Sequence, residues 1–197
     1  PIVDEMARMY AHPKVFKFLH LPVQSASDRI LGEMERGYTV QKFRSIVAGL
    51  RSRVPDMTLS TDIIVGYPGE TEDDHRLNLE LVEEIGPDIV NVTRFSPRPG
   101  TKAALSQGKV VGWKAKERSR ELTELRFRVA LEKNEALVGQ RFTALATERG
   151  KNDSTILRTD EYKQVVVPEL LGMRRFYEVV VENATPTYLT GRRVDGR

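Results

Sequence analysis

The residues able to do chemistry sit in short polar stretches that interrupt or follow apolar runs. Ser60 and Asp62 lie inside MTLSTDIIV, which stops at Gly66-Tyr67-Pro68-Gly69-Glu70. Gln24, Ser25 and Ser27 follow VFKFLHLPV, and Phe95, Ser96 and Pro97 follow DIVNVTR. Hydroxyls, a carboxamide and carboxylates in such places hold a polar small molecule by hydrogen bonds, whereas a strand buried on both faces is usually apolar throughout. The alternative for Asp62 is a carboxylate hydrogen-bonded within the core. The chain has no cysteine, so its residues offer no disulfide, thiolate ligand or cysteine nucleophile. His12, His20 and His75 show no metal-ligand spacing, and no metal site is expected.

The elements that must position these groups follow from periodicity. Val15–Val23, Met57–Val65 and Asp88–Phe95 read as strands. Alternation puts His20 on one face of the first with Phe16, Phe18 and Pro22, Ser60 and Asp62 on one face of the second, and Asn91 and Thr93 on one face of the third. Ser27 or Asp28 caps a helix that should close at Gly37. Thr39 caps a second, with Val40, Phe43, Val47, Leu50 and Val54 as its apolar face, ended by Pro55. Thr71-Glu72-Asp73-Asp74 opens a third, running to Ile85 before Gly86-Pro87. The order β–α–α–β–α–β predicts a parallel sheet in a barrel or an open α/β sheet. In such units every strand-to-helix loop lies at one edge, so Gln24–Ser27, Gly66–Glu70 and Ser96–Thr101 should converge there on a small-molecule site.

From Trp113 to about Glu135 the pattern becomes one long charged helix with an apolar seam of Leu122, Leu125, Val129 and Ala136. The remainder reads as five short strands: 141–147, 154–158, 164–167, 176–182 and 187–192. That pattern suggests a small barrel of oligonucleotide-binding type. Arg141, Arg149, Lys151, Arg158, Lys163, Arg174, Arg175, Arg192 and Arg193 lie largely in or near its turns, with Tyr162, Phe176, Tyr177 and Tyr188 available for stacking. Small barrels that bind RNA combine such a charged groove with aromatic platforms. Charge is uneven in the same sense: residues 1–112 hold 14 Lys/Arg against 15 Asp/Glu, and residues 113–197 hold 17 against 13. That excess favours a polyanionic partner; the alternative is a cap domain whose charge serves solubility. No apolar run reaches the roughly 20 residues of a membrane span, and a cytoplasmic protein is expected. Pro1-Ile2-Val3-Asp4 reads as the middle of a longer chain.

Three stretches together resemble the methylthiotransferase family of radical SAM enzymes: HLPVQSASDRILGEMERGYT (residues 20–39), TDIIVGYPGET (61–71) and RFSPRPGTKAA (94–104). The charged KERSRELTEL helix (116–125) and a terminal barrel similar to a TRAM domain complete the pattern. The resemblance implies an α/β partial (β/α) barrel of radical SAM type over 1–112, a connecting helix over 113–137, and a small all-β TRAM barrel over 138–197. It also implies that Gln24, Ser25, Ser27, Asp62, Gly66, Glu70, Phe95 and Pro97 hold part of a SAM pocket, and that the barrel cations grip tRNA. The family's 4Fe-4S clusters would be held by a missing N-terminal part, so this piece is expected to be inactive alone and no catalytic residue is assigned. The family's reaction begins with reductive cleavage of SAM to a 5′-deoxyadenosyl radical. Ala26 in QSAS resembles the branch acting on N6-threonylcarbamoyladenosine next to the anticodon. Isopentenyladenosine or a ribosomal protein are the family's other substrates. Outside the family, the rivals are an RNA-binding module with an inert α/β domain, or a barrel enzyme using Gly66–Glu70 on a phosphorylated metabolite.

Overall fold

The computed structural model describes residues 2–106 and 108–194, so Pro1 and residues 195–197 of the ranges expected above lie outside the described part. Two compact units emerge: Pro1–Leu19 with Leu50–Thr58 and Ala130–Arg197, and His20–Gly49 with Leu59–Val129. Their elements, in chain order, are α1 (Ile2–Tyr10), β1 (Phe18–His20), α2 (Asp28–Glu33), α3 (Val40–Arg51), β2 (Thr58–Val65), α4 (Glu72–Ile85) and β3 (Ile89–Arg94). After these come α5 (Lys102–Leu105), α6 (Gly112–Glu135), β4 (Arg141–Arg149), β5 (Thr155–Thr159), β6 (Gln164–Val167), β7 (Phe176–Ala184) and β8 (Leu189–Arg193). No helix among the described residues is long and apolar enough to cross a membrane.

The α/β unit is organised on a three-stranded sheet in the order β1-β2-β3, with β2 and β3 parallel and Asp62 opposite Asn91. Leu59, Ile63, Val65 and Val90 alternate onto one face and are almost fully buried. The other face carries Asp62, half-buried, and Asn91, exposed. This is the amphipathic parity expected from the strand periodicity. Helix α4 begins where the sequence says it should. Thr71 accepts from the Asp74 amide while the Asp74 carboxylate accepts from the Thr71 amide, and Gly86 ends the helix in the left-handed region at φ 55°.

Three local expectations need correction. Helix α2 stops at Glu33 rather than at Gly37, because Glu35 itself takes the left-handed conformation at φ 56°. The first strand is only Phe18–His20, although Gln24 still bridges to Ile63 in parallel. In α6 the buried seam is Leu122, Leu125, Val129 and Ala130, while Ala136 is exposed.

The other unit holds the closed five-stranded barrel, ordered β4-β5-β6-β8-β7. Ala144, Ala146, Leu157, Val165, Val179, Val181 and Leu189 alternate inward and fill it. Gly191 permits closure: a Cβ there would stand 2.3 Å from the Val180 carbonyl oxygen. In this same unit the amino-terminal segment packs on the β5–β6 turn. Phe16 and Phe18 each place a ring 5.1 Å from that of Tyr162, and the Lys17 ammonium lies 2.6 Å from Asp160. Tyr162 is therefore a packing residue instead of a free stacking surface.

Candidate functional site

The three polar loops do converge at the carboxyl edge of the sheet. The Gln24 amide donates to the Asp62 carbonyl at 2.8 Å, and the Gln24 carbonyl accepts from the Ile64 amide at 2.9 Å, which inserts the first loop beside β2. Gln24 does this with φ 67°, a conformation that is costly for a residue with a side chain and is concentrated at functional sites. The Phe95 amide donates to the Val65 carbonyl at 2.8 Å, and its ring packs edge-on against Tyr67 at 5.1 Å. Arg29, just after the first loop, donates to the Gly69 carbonyl at 2.8 Å.

A polar row crosses all three strands on the open face. Asp62 Oδ1 accepts from Asn91 Nδ2 at 2.8 Å and lies 3.0 Å from His20 Nε2. The three side chains meet because their positions on neighbouring strands share the parity opposite to that of the buried Leu59, Ile63 and Val65. Asp62 is thus hydrogen-bonded yet partly open, with 29% of its side chain exposed.

Beside this row lies a cleft of about 600 Å³, lined by Gly66, Pro68, Thr93, Phe95, Pro97 and Ala115, with Arg94 and Lys109 also on its wall. Its volume falls in the range of small-molecule sites, and its largely apolar wall with a few polar groups is the usual composition of one.

Behind the cleft the loops are held by charge. Glu70, with no exposed side-chain area, accepts from the Gly66 amide at 2.6 Å and from Arg118 at 2.6 Å. Burial is the largest influence on Glu70 and pushes its carboxyl above the ordinary carboxylate value, against the opposing pull of Gly66 and Arg118. Arg118 also donates to Glu72 at 2.7 Å; hydrogen bonds from Lys114 and Arg118 hold the Glu72 carboxyl at about 2. Asp74 accepts from Ser27 at 2.6 Å and is paired with Arg29. Burial works against its ionisation, but the hydrogen bonds from Ser27, Thr71 and Arg29 prevail and bring its carboxyl to about 2. Gly66 has φ 76°, and a Cβ on it would stand 2.7 Å from that of Ala115. Only glycine allows α6 to approach this turn.

Relatives of the chain narrow the chemistry at such an edge. Residues 1–82 match the Radical SAM superfamily. Across 190 residues, 96% of this chain and 44% of the relative, the chain is 44% identical to a Pyrococcus horikoshii protein named "Probable threonylcarbamoyladenosine tRNA methylthiotransferase". A Xenopus laevis "Threonylcarbamoyladenosine tRNA methylthiotransferase" is 37% identical over 98% of the chain and 34% of that relative. The chain belongs to the radical SAM methylthiotransferase family. It spans less than half the length of these relatives. A Moorella thermoacetica member named "tRNA-2-methylthio-N(6)-dimethylallyladenosine synthase" is 42% identical over 93% of the chain and 42% of its own length.

In this chain the expected cofactor residues fall into two groups. Gly66, Phe95 and Pro97 line the cleft, and Gln24 and Asp62 are partly open at the same edge. Ser25 is fully buried and its hydroxyl accepts from the Ser27 amide; Ser27 caps α2; Glu70 is committed to Gly66 and Arg118. Sequence reasoning missed Arg118, which looks no different from Lys116 or Arg120 in a charged helix, and missed Arg94 and Lys109 on the cleft wall. It also missed Asn78, whose buried Oδ1 accepts from the Ala26 amide at 2.6 Å.

Nothing in the chain fits an iron–sulfur cluster: there is no cysteine, and among the described residues no group of three His, Cys, Asp or Glu could hold a metal.

The barrel cations are not equivalent. Arg158 lies over the Tyr162 ring at 4.5 Å, Lys163 donates to Asn134 at 3.0 Å, Arg192 pairs with Glu182 at 2.9 Å, and Arg193 lies 3.7 Å from Glu169. Arg141, Arg149, Lys151, Arg174 and Arg175 are exposed, with no carboxylate partner among the described residues.

Proposed function

We propose that this chain is part of a tRNA methylthiotransferase that uses SAM and 4Fe-4S clusters to convert N6-threonylcarbamoyladenosine, next to the anticodon, to its 2-methylthio form in the cytoplasm. The observation that carries this reading is the match of nearly the whole chain to relatives bearing that name, coupled to a cleft at the sheet edge where the matching loops meet. The α/β part over 1–112 is read as a portion of a radical SAM barrel, 113–137 as the connector, and 138–197 as a TRAM barrel that contacts tRNA.

The residues of the cleft and of the polar edge beside it fit SAM in chemical kind. Phe95 and Pro97 offer an apolar wall for an adenine, Asp62 and Gln24 offer polar groups for hydroxyls or the amino acid moiety, and Gly66 keeps the turn open. Ser25, Ser27 and Glu70 hold the loops in which those groups sit. When bound, SAM supplies the radical and the methyl group. The clusters are assigned to residues outside these 197, since none of these offers a thiolate. Barrel cations hold the tRNA through its phosphates, a salt-sensitive contribution.

The decisive test incubates the complete enzyme with SAM, a reductant and tRNA carrying either N6-threonylcarbamoyladenosine or N6-dimethylallyladenosine, followed by mass spectrometry of the digested nucleosides. The reading requires methylthio gain on the threonylcarbamoyl nucleoside. Gain only on the dimethylallyl one would move the substrate to that of the Moorella relative, and gain on neither would end the reading.

A further inference from the structure

Register places at one end four of the five barrel cations that lack a carboxylate partner among the described residues, Arg141 standing at the far end of β4. Arg149 lies opposite Thr155. The Thr155 hydroxyl donates to the Glu169 carbonyl at 2.8 Å and accepts from the Leu171 amide at 3.0 Å, which fastens the loop before β7 to the mouth of the β4–β5 hairpin. That loop then joins the β4 edge: the Ala146 amide donates to the Arg175 carbonyl and the Arg174 amide to the Ala146 carbonyl, both at 2.9 Å. Arg149 is three residues beyond Ala146, roughly 10 Å along the strand, and Lys151 lies in the turn that follows. Arg149, Lys151, Arg174 and Arg175 therefore share one rim, separated by spans comparable to the spacing of a few nucleotides.

Next to this rim is an aromatic ring with no place in the core. Phe176 is 67% exposed, because its parity on β7 is opposite to that of the buried Val179 and Val181. It stands opposite Leu145, which in turn stands opposite Arg158, so the three form one outward row across β7, β4 and β5. A solvent-facing phenylalanine beside a half-buried leucine forms a small apolar surface outside the barrel core. Such a surface gains by covering its ring with another flat apolar face, and the cations on the rim favour an anionic chain as the carrier of that face. A nucleobase joined to phosphates meets both requirements. A duplex does not, because its bases are already stacked on one another.

We propose that the outer wall at Phe176 and Leu145 is a stacking site for an unpaired RNA base, with Arg149, Lys151, Arg174 and Arg175 taking the neighbouring phosphates. The proposal deepens the tRNA reading of the barrel and rests on it. Acidic neighbours set its limits: Glu148 lies 3.7 Å from Arg158, and Glu178 accepts from Thr143, so the favourable ground runs from Phe176 toward the Arg174–Arg175 turn and away from Glu178.

The test is fluorescence anisotropy with a labelled single-stranded oligoribonucleotide of about ten nucleotides and with a blunt RNA duplex of the same sequence. Wild-type protein, Phe176→Ala, Phe176→Trp and the pair Arg149→Gln/Arg175→Gln are compared at about 50 and about 200 mM salt. Phe176→Ala is expected to weaken single-strand binding roughly tenfold with little change for the duplex. Phe176→Trp should restore it, and the retained duplex binding of Phe176→Ala shows that the alanine variant is folded. The double glutamine variant should weaken both probes and flatten the salt dependence. Unchanged single-strand affinity for Phe176→Ala, equal loss for both probes, no recovery with tryptophan, or no RNA binding by the wild type would each overturn the site. Methylthio transfer by the complete enzyme combined with an indifferent Phe176→Ala would remove this inference and leave the proposed function standing. Single-strand binding as expected, without methylthio transfer, would do the reverse.

Discussion

Arg118, from the middle of the charged helix α6, reaches Glu70 in the turn after β2 with Nη1 and Oε2 2.6 Å apart, and both side chains are almost fully buried. A helix whose sequence reads as a solvated rod is thus tied into the loop that lines the candidate site. A buried pair of this kind contributes less by attraction than it costs when one member is lost.

Arg118→Ala alone is accordingly expected to destabilise the protein by about 3–5 kcal/mol, because it leaves the buried Glu70 carboxyl without its cation, and Glu70→Ala by less, because Arg118 keeps Glu72 as a partner. Replacing both by apolar residues of similar size, Glu70→Leu with Arg118→Met, should recover most of that loss. Urea denaturation of the three variants checks this; a double variant as unstable as the sum of the singles would show that the pair is not the coupled unit described.

Gly66→Ala confronts a backbone at φ 76° and a Cβ 2.7 Å from that of Ala115. The left-handed conformation alone costs about 1–3 kcal/mol, and the contact adds to it. Ala115→Gly in the Gly66→Ala background removes the contact and leaves the backbone strain, so the double variant should regain part of the lost stability. Thermal melts that show no recovery would mean that α6 does not press on this turn.

The network at Asp74 makes an acid-side prediction. Its folded carboxyl lies at about 2, below the ordinary 3.8. Its contribution is therefore complete above that ordinary value and is lost as pH falls from about 4 toward 2. A side chain this well buried makes that contribution on the order of 2 kcal/mol. Asp74→Asn should lower stability at neutral pH and flatten the stability profile in this window. A wild-type profile already flat between pH 4 and 2 would contradict it.

How far the sequence could be read depended on whether a signal was local. Strand parity around Asp62, the Thr71 cap and the strands of the barrel are set by neighbours one to four residues away, and the structure carries them. The convergence of the loops at Gln24, Gly66 and Phe95 followed from the rule that parallel crossovers place such loops at one edge. What escaped detection was long-range. Arg118 meets Glu70 across 48 positions, and no feature of the helix distinguishes it from its exposed neighbours. Tyr162 was offered as a stacking ring because its chemistry allowed it, but Phe16 and Phe18 cover it from the other end of the chain. Glu35 shows the same limit at short range. A glycine two residues on drew the helix end to Gly37, while the turn bent at the residue that packing selected.

The central claim is that the polar row His20–Asp62–Asn91 and the adjoining cleft form part of the SAM site. Formation of 5′-deoxyadenosine from SAM by the complete, reduced enzyme tests it most directly, comparing wild type with Asp62→Ala and following tRNA binding in parallel. A fall of at least tenfold in 5′-deoxyadenosine formation, equivalent to about 1.4 kcal/mol, is expected, with tRNA affinity and melting temperature held. Undiminished 5′-deoxyadenosine formation by Asp62→Ala would contradict it, and loss of folding in that variant would assign Asp62 to the scaffold instead.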